Sequence, residues 1–541
     1  MVGDIFGKGA LSYRPDKSYT RFELKNFLKQ FKLNEALRLI GMLSSAFLQH
    51  HLDNQPKTLK YHAISLTLEN DRYFNIGNVP INKSILAYMA MCLIETAKDS
   101  NKKIFGFVEL KQAANMYYGL HDPFFENADP KEALIRVGAS QFEYDLDWLN
   151  FLSRTLAIYR DIWPTLAECS SIDIEREIRS LSGLSFEEIA FLSLWFSVSI
   201  GAKNITPSND PRIQIFNKVN IDKFIKWLSC GYEKFKETSN KEKVQYTNSD
   251  LNKYEKYRFN PLQNFPIIKS DKGNGWIVPC VYLLHKRITQ GLYHEIGEKY
   301  KALGGKTNAF RSAFGAAFEE YIRVLLTNSN PNFNVLKAPT YGTKKGQEKT
   351  VDWVVIEGDR AVLIEVKQSG LYLRAKTTGE QKAVEESLKQ TIADGVRQII
   401  KFEENIKSGK FLALSHLQNL KFFERLVVTY DPIFFTAILN KEVGSILKDI
   451  PDGFYWHTMS VEQFEYIVGN KNLSLYDFLQ AKKVSPNYEF QDFREYISYT
   501  KTPINNEYLS NLWLNLFRSK KLRQELEFLT GRSLANFLQS S

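Results

Sequence analysis

TVDWVVIEGDRAVLIEVK, residues 350 to 367, decides the fold of the C-terminal half of this chain. Gly358-Asp359 reads as a two-residue turn between two runs of β-branched and aliphatic residues. Such a turn fixes the register. Glu357 then faces Arg360, Asp352 faces Glu365 and Thr350 faces Lys367. Side chains alternate along each strand. One face holds Val354, Ile356, Ala361 and Leu363 and ends in Asp352, Glu365 and Lys367. The other holds Trp353, Val355, Val362, Ile364 and Val366. Both faces are apolar, so the hairpin is expected at the centre of a sheet covered on both sides.

The three charges at one end of one face carry the chemical argument. Two carboxylates opposite each other on paired strands repel. Near a core the arrangement is costly unless something neutralises it. A divalent cation would, and hard oxygen ligands suit Mg²⁺ or Mn²⁺. Lys367 lies where it could reach a phosphate or a metal-bound water. The plainer reading is an ion pair of Asp352 with Lys367 at a strand end, with Glu365 in water.

Around the hairpin the expected order is helix Asn308–Thr327, strands Phe333–Ala338, Thr350–Ile356 and Ala361–Lys367, helix Gln381–Ile406, then strand Arg425–Tyr430. A further strand is expected at Phe454–Thr458. The fold class is therefore α+β or α/β and multidomain, with a mixed sheet. Upstream, residues 282 to 300 read as one helix, preceded by a short hairpin turning at Lys272–Asn274. Residues 236 to 258 are polar, lack an apolar periodicity and read as a linker or exposed loop. From Phe22 to Phe235 the pattern is mostly helical, as in Ala36–Leu52, Lys83–Ala97, Asp145–Trp163, Phe186–Ile200 and Val219–Lys234. The expected division is 1–235, a helical region with a regulatory or sensing role; 236–300, linker, hairpin and connecting helix; and 301–541, the α/β unit with C-terminal helices.

At 541 residues, two or three domains are the prior. With 44% hydrophobic and 13% aromatic residues, the composition excludes a disordered chain. Lys and Arg number 71 against 61 acidic residues, and the net charge of +10 favours polyanionic partners such as nucleic acid. Cys92, Cys169, Cys230 and Cys280 are far apart and form no CxxC pair, which speaks against a zinc site or disulfide framework and for a reducing, cytoplasmic setting. The N-terminus lacks the apolar core of a signal peptide, and no membrane span is expected.

Asp352 and Glu365-Val366-Lys367 on adjacent strands resemble the core motif of the PD-(D/E)xK nuclease superfamily. Gly315-Ala-Ala-Phe318-Glu319 on the preceding helix resembles its GxxFE element. The order αβββαβ of the restriction-endonuclease-like core matches the pattern read above, over roughly residues 300 to 460. The family's proline before the aspartate is replaced by Val351. The resemblance implies a metal-dependent nuclease in which Glu319, Asp352 and Glu365 hold one or two Mg²⁺ or Mn²⁺ ions. The Val366 carbonyl would be a further ligand. Lys367 would orient the attacking water or stabilise the transition state of phosphodiester hydrolysis. The substrate stays open between DNA and RNA, including tRNA. The layout is also similar to large single-chain nucleases of bacterial antiphage defence, which implies a phage-derived trigger or partner protein. Homo-oligomerisation is left open.

Glu320 rivals Glu319, which shares a helix face with Gly315 and Ile322. Gln390, Asp394, Arg397 and Gln398 recur at helical spacing, and Gln390 and Gln398 are candidates to support the site. Thr343–Gly346 and Tyr372, Arg374 and Lys376 could grip a nucleic-acid backbone. Two other classes compete. Arg287 and His294 fit the loose Rx(4–6)H spacing of metal-independent HEPN-like ribonucleases. A catalytically inactive nucleic-acid-binding protein is the third reading.

Overall fold

Three strands, β1 (Asn334–Lys337), β2 (Trp353–Glu357) and β3 (Arg360–Lys367), run antiparallel in sequence order, and β4 (Phe422–Thr429) and β5 (His457–Ser460) extend the sheet in parallel beyond β3. This is a computed structural model describing residues 13–53, 57–61, 64–68, 73–76, 78–120, 148–200, 218–243, 255–270, 275–304, 308–330, 333–339, 341–343, 346–348, 350–371, 373–409, 411–434, 436–447, 450–451, 453–485, 492–502 and 506–516. The chain is a mixed α+β protein, with helices predominant before residue 330 and a five-stranded mixed sheet after it.

The turn at Gly358-Asp359 sets the expected register from Glu357↔Arg360 to Trp353↔Ile364. Gly358 takes φ +73°, a conformation glycine adopts without strain. The two faces separate as alternation requires. Trp353, Val355, Val362, Ile364 and Val366 enter one hydrophobic core, and Val354, Ala361 and Leu363 enter another. Helix α1 (Ala309–Ser329) covers the first face through Phe314, Phe318, Tyr321 and Ile322. Helices α2 (Gln381–Leu388) and α3 (Asp394–Ser408) cover the second through Val384, Leu388, Val396 and Ile399.

The ladder does not continue to Asp352 and Thr350 as the register predicts. The Asp352 N–H donates to the Ile364 carbonyl at 3.1 Å, one residue out of step. Strand β2 therefore starts at Trp353, and Asp352 leaves the pleat at its threshold. The expected helix over 381–406 is interrupted by a π-helical turn, Lys389–Ala393. The expected helix over 282–300 breaks at Thr289 into Val281–Ile288 and Gln290–Ala302.

Two further expectations need correction. Residues 57–82 contain two hairpins, Lys57–Tyr61 with Ile64–Leu68 and Tyr73–Ile76 with Val79–Asn82, inside the stretch read as helical. Over its described part the expected linker is not a loop: its first residues are helical and largely exposed, and its last are buried. Residues up to Lys243 continue a helix from Tyr232. Glu255 and Arg258 are buried, with Arg258 paired to Glu95 at 2.7 Å and Lys25 bridging Glu95 and Glu255 at 3.0 Å each. A polar sequence without apolar periodicity is buried here because its charges find partners far away in the chain. The turn at Lys272–Asn274, residues 244–254, Lys344, Lys345 and Tyr372 lie outside the described residues.

The first core crosses the positions where boundaries were expected. It joins Leu152–Leu228 to Phe310–Leu512. An ion pair sits within it. Arg154 donates to both oxygens of Glu465 at 2.7 and 2.8 Å, and both residues are essentially inaccessible. Tyr321 of α1 donates to the same carboxylate at 2.6 Å. Removing a buried donor to a charged acceptor costs about 1.5–3 kcal/mol. Tyr321→Phe is expected to lower unfolding stability by that amount in chemical denaturation. An unchanged midpoint would show that the hydroxyl contributes nothing.

Candidate metal centre

The site lies where β3 ends, beside the threshold of β2. Asp352, freed from the ladder, accepts the Val366 N–H through Oδ2 at 2.7 Å. Glu365 is 2% exposed, and its Oε1 accepts from Lys367 Nζ at 2.5 Å. Its Oε2 is buried without a hydrogen-bond partner. Lys367 also donates to Gln398 Oε1 at 3.2 Å, and the Gln398 amide donates to the Thr350 carbonyl at 3.2 Å. Glu319 comes from the opposite side, on α1, whose backbone is pinned to β2 by the Trp353 indole donating to the Glu319 carbonyl at 2.9 Å.

All three carboxyl groups hold their protons more tightly than usual. Burial pushes Glu365 up to about 8, with the charge of Asp352 adding to it and Lys367 opposing. Burial pushes Glu319 up to about 7, again with Asp352 adding, while Lys337 and Lys367 oppose. Burial raises Asp352 to about 6 against the Val366 N–H, Lys367 and Lys337. Asp352 and Glu319 each bear on Glu365 through their charge, so the three behave as one electrostatic cluster. Among the described residues, no three acidic, histidine or cysteine side chains already stand as a metal cage. The cation that Glu365 now has is the Lys367 ammonium.

The structure thus brings Asp352, Glu365 and Lys367 together at the end of β3, with Gln398 against the lysine, and leaves Glu319 near enough for its charge to act on Glu365. Glu320 pairs instead with Arg323 at 2.5 Å. Gln390 stands on the solvent side, as do Asp394 and Arg397, while Gln398 is half-buried. Gln390 lies within the π-helical turn Lys389–Ala393, where the α-helical spacing used to pair it with Gln398 does not hold. Arg374 pairs with Glu380 at 2.6 Å. Arg287 is held by Glu295 at 2.5 Å and lies over the Trp227 ring at 4.9 Å; His294 shares a cavity wall with it, away from the carboxylates.

Two contributors escaped the sequence reading. Lys337, the last residue of β1, acts electrostatically on Glu319 and Asp352. Its place on an edge strand next to the aspartate could have signalled this. Gly395 on α3 lets the helix approach the site. A Cβ there would lie 3.1 Å from Glu365 Cγ, 3.3 Å from Lys367 Cε and 3.4 Å from Val427 Cγ2. Gly395→Ala should therefore displace Glu365 and Lys367 by a few tenths of an ångström. If the site turns over a substrate, the variant is expected to do so about tenfold more slowly, with little change in melting temperature, because shifts of this kind act on geometry. Full activity would show that the approach is not needed.

A second nucleophile-like pair, Ser197 Oγ with His285 Nε2 at 2.8 Å, is enclosed in the core, with both residues at 0% exposure. No substrate could reach it, so it is structural. Among the described residues, no helix is long and apolar enough to cross a membrane. Comparison with protein-family models, with curated proteins and with solved structures finds no match to this chain.

Proposed function

We propose that this chain is a metal-dependent nuclease of the PD-(D/E)xK type that hydrolyses phosphodiester bonds in DNA or RNA. One observation carries the reading: at the end of a central sheet Glu365 keeps a buried carboxylate oxygen without a partner, beside Lys367 and next to the Val366 N–H that holds Asp352. The order of α1, β1, β2, β3, α2 with α3, and β4 supports it, as does the parallel placement of β4 beside β3. The donor set fits a hard divalent cation. It is all oxygen, it carries excess negative charge when ionised, and it includes a buried carboxylate oxygen without a partner. Glu319, Asp352 and Glu365, with the Val366 carbonyl, would hold Mg²⁺ or Mn²⁺, which supplies Lewis acidity toward the phosphate and a lowered pKa for water. Lys367, released from Glu365, would donate to a phosphate oxygen or orient the attacking water. Gln398 keeps the lysine pointed along the strand end. Val366 lends its N–H to Asp352 and so fixes that carboxylate beside Glu365. The antiphage role rests on the family layout alone.

The test is incubation of purified protein with plasmid DNA, total RNA and tRNA in Mg²⁺, Mn²⁺ or EDTA. Cleavage is expected with either metal and lost in EDTA. Cleavage that survives EDTA overturns the reading and favours a metal-independent ribonuclease.

A further inference from the structure

β3 ends with side chains turned to both sides of the sheet. Glu365 and Lys367 lie toward Gly395 of α3, whereas Val366 enters the core that α1 covers. Gln368, two residues past Val366, follows it to the α1 side. The three atoms nearest to where a Cβ would stand on Gly315 all belong to the Gln368 amide, at 3.6 to 4.0 Å. That amide therefore lies against the helix that carries Glu319, four residues on from Gly315. We propose that Gln368 is the positioning residue for Glu319: its Nε2 donates to the Glu319 carboxylate and sets the direction in which that group faces Asp352 and Glu365. The inference rests on the metal-centre reading and deepens it.

Three observations converge on that pairing. The first is a gap in the pattern of steering contacts. Asp352 accepts the Val366 N–H, Glu365 accepts from Lys367, and Lys367 is held in turn by Gln398. Glu319 is tied down only through its backbone carbonyl, by the Trp353 indole. Its carboxylate has no hydrogen bond among the described residues. The second is a donor left over. Gln368 also makes no hydrogen bond among the described residues, and its Oε1 is buried without a partner. Its Nε2 is not shut away in the same manner, so the donating end of the amide is the end that can reach another group. A carboxylate and an amide donor that both stay idle beside each other forgo a charge-assisted hydrogen bond. The third is reach. Residues four apart share a helix face, and helical side chains lean toward the helix N-terminus. A glutamate at 319 leans by that rule over position 315, where glycine leaves the space that the Gln368 amide enters. Both residues are half-buried, at the rim of the sheet rather than in its core.

The gain is direction. A carboxylate that takes a cation through one oxygen is fixed in orientation when a donor holds it from outside the cluster, and such outer donors tune the affinity of the whole site. Gln368 follows Lys367 in the chain, so the same strand end would steer groups on both faces: the lysine on one, the glutamate of α1 on the other.

Mn²⁺ titration of the full-length protein by isothermal calorimetry tests the inference without any turnover, with thermal melts to show that each variant is folded. Gln368→Met keeps the length of the side chain and loses the donor. It is expected to bind Mn²⁺ at least about tenfold more weakly than the parent, within the roughly 10–100-fold range for loss of a group that holds a metal ligand. In a Glu319→Gln background the same change should cost less than about twofold, because the group it acts through is gone. A role in packing alone would lower the melting temperature and leave the affinity of the folded protein as it was. Parent-like Mn²⁺ affinity in folded Gln368→Met protein overturns the inference and leaves the nuclease reading standing, as does an equal loss in both backgrounds. A parent that binds no Mn²⁺ at millimolar concentration, and cuts neither DNA nor RNA, removes the nuclease reading and this inference with it.

Discussion

Lys367→Ala protein is expected to cleave nucleic acid at least about 10²-fold more slowly than the parent in Mg²⁺, at unchanged substrate affinity. Removing one donor aimed at developing transition-state charge has that size, roughly 10²–10³ in turnover. The geometry says why this lysine and not another. Its Nζ sits 2.5 Å from Glu365 and 3.2 Å from Gln398, with the side chain 18% exposed, so it is held at the strand end rather than free to sweep solvent. Lys337 acts on the same carboxylates but stands on an exposed edge position. Lys337→Ala should therefore reduce activity far less. Gln398→Ala should fall between the two, because it leaves the ammonium present but unsteered. Single-turnover rates with plasmid DNA and tRNA measure all three. An undiminished Lys367→Ala protein, folded and metal-loaded, would remove the nuclease reading outright.

What the sequence disclosed and what it hid have separate physical causes. The hairpin was legible because a two-residue turn fixes the register and alternation divides the faces; Trp353 and Val354 go to different cores as that logic requires. The grouping of Asp352, Glu365 and Lys367 followed from the same count. The step at Asp352 did not, because leaving the ladder depends on a local choice: its N–H takes the Ile364 carbonyl and its carboxylate takes the Val366 N–H. No alternation rule contains that choice. The phase of α3 was hidden for a related reason. The π-helical turn Lys389–Ala393, which contains Gln390, rotates everything after it. The hairpins at 57–82 carry short alternating runs such as Ile64–Leu68 that period-two reading could have found among the flanking helices. The burial of Glu255 and Arg258 was not readable locally at all, since their partners Lys25 and Glu95 lie far upstream. Long-range charge pairing has no signature in a window of neighbouring residues.

Glu365→Gln should make the protein more stable above neutral pH while destroying its proposed activity. The Glu365 carboxyl is raised from an ordinary 4.5 to about 8 in the folded chain, because burial and the Asp352 charge oppose ionisation. Between those two values the folded chain keeps a proton that the unfolded chain has lost. Stability must then fall as pH rises through that window, the reverse of a salt-bridged carboxylate. At about 1.4 kcal/mol per unit, the loss by pH 8 is on the order of 3–5 kcal/mol. Glu319, raised to about 7, and Asp352, raised to about 6, push in the same direction. Glutamine keeps the shape and cannot ionise. Near pH 5 the variant and parent should melt together, and near pH 8 the variant should melt higher. Mg²⁺ should then raise the parent's melting temperature at pH 8 and the variant's far less, because a cation bound to the ionised cluster stabilises only the folded chain. Thermal melts across that range, with and without Mg²⁺, decide the matter. A variant less stable than the parent at every pH would mean that Glu365 is satisfied by Lys367 alone. The cluster would then have no call for a second cation.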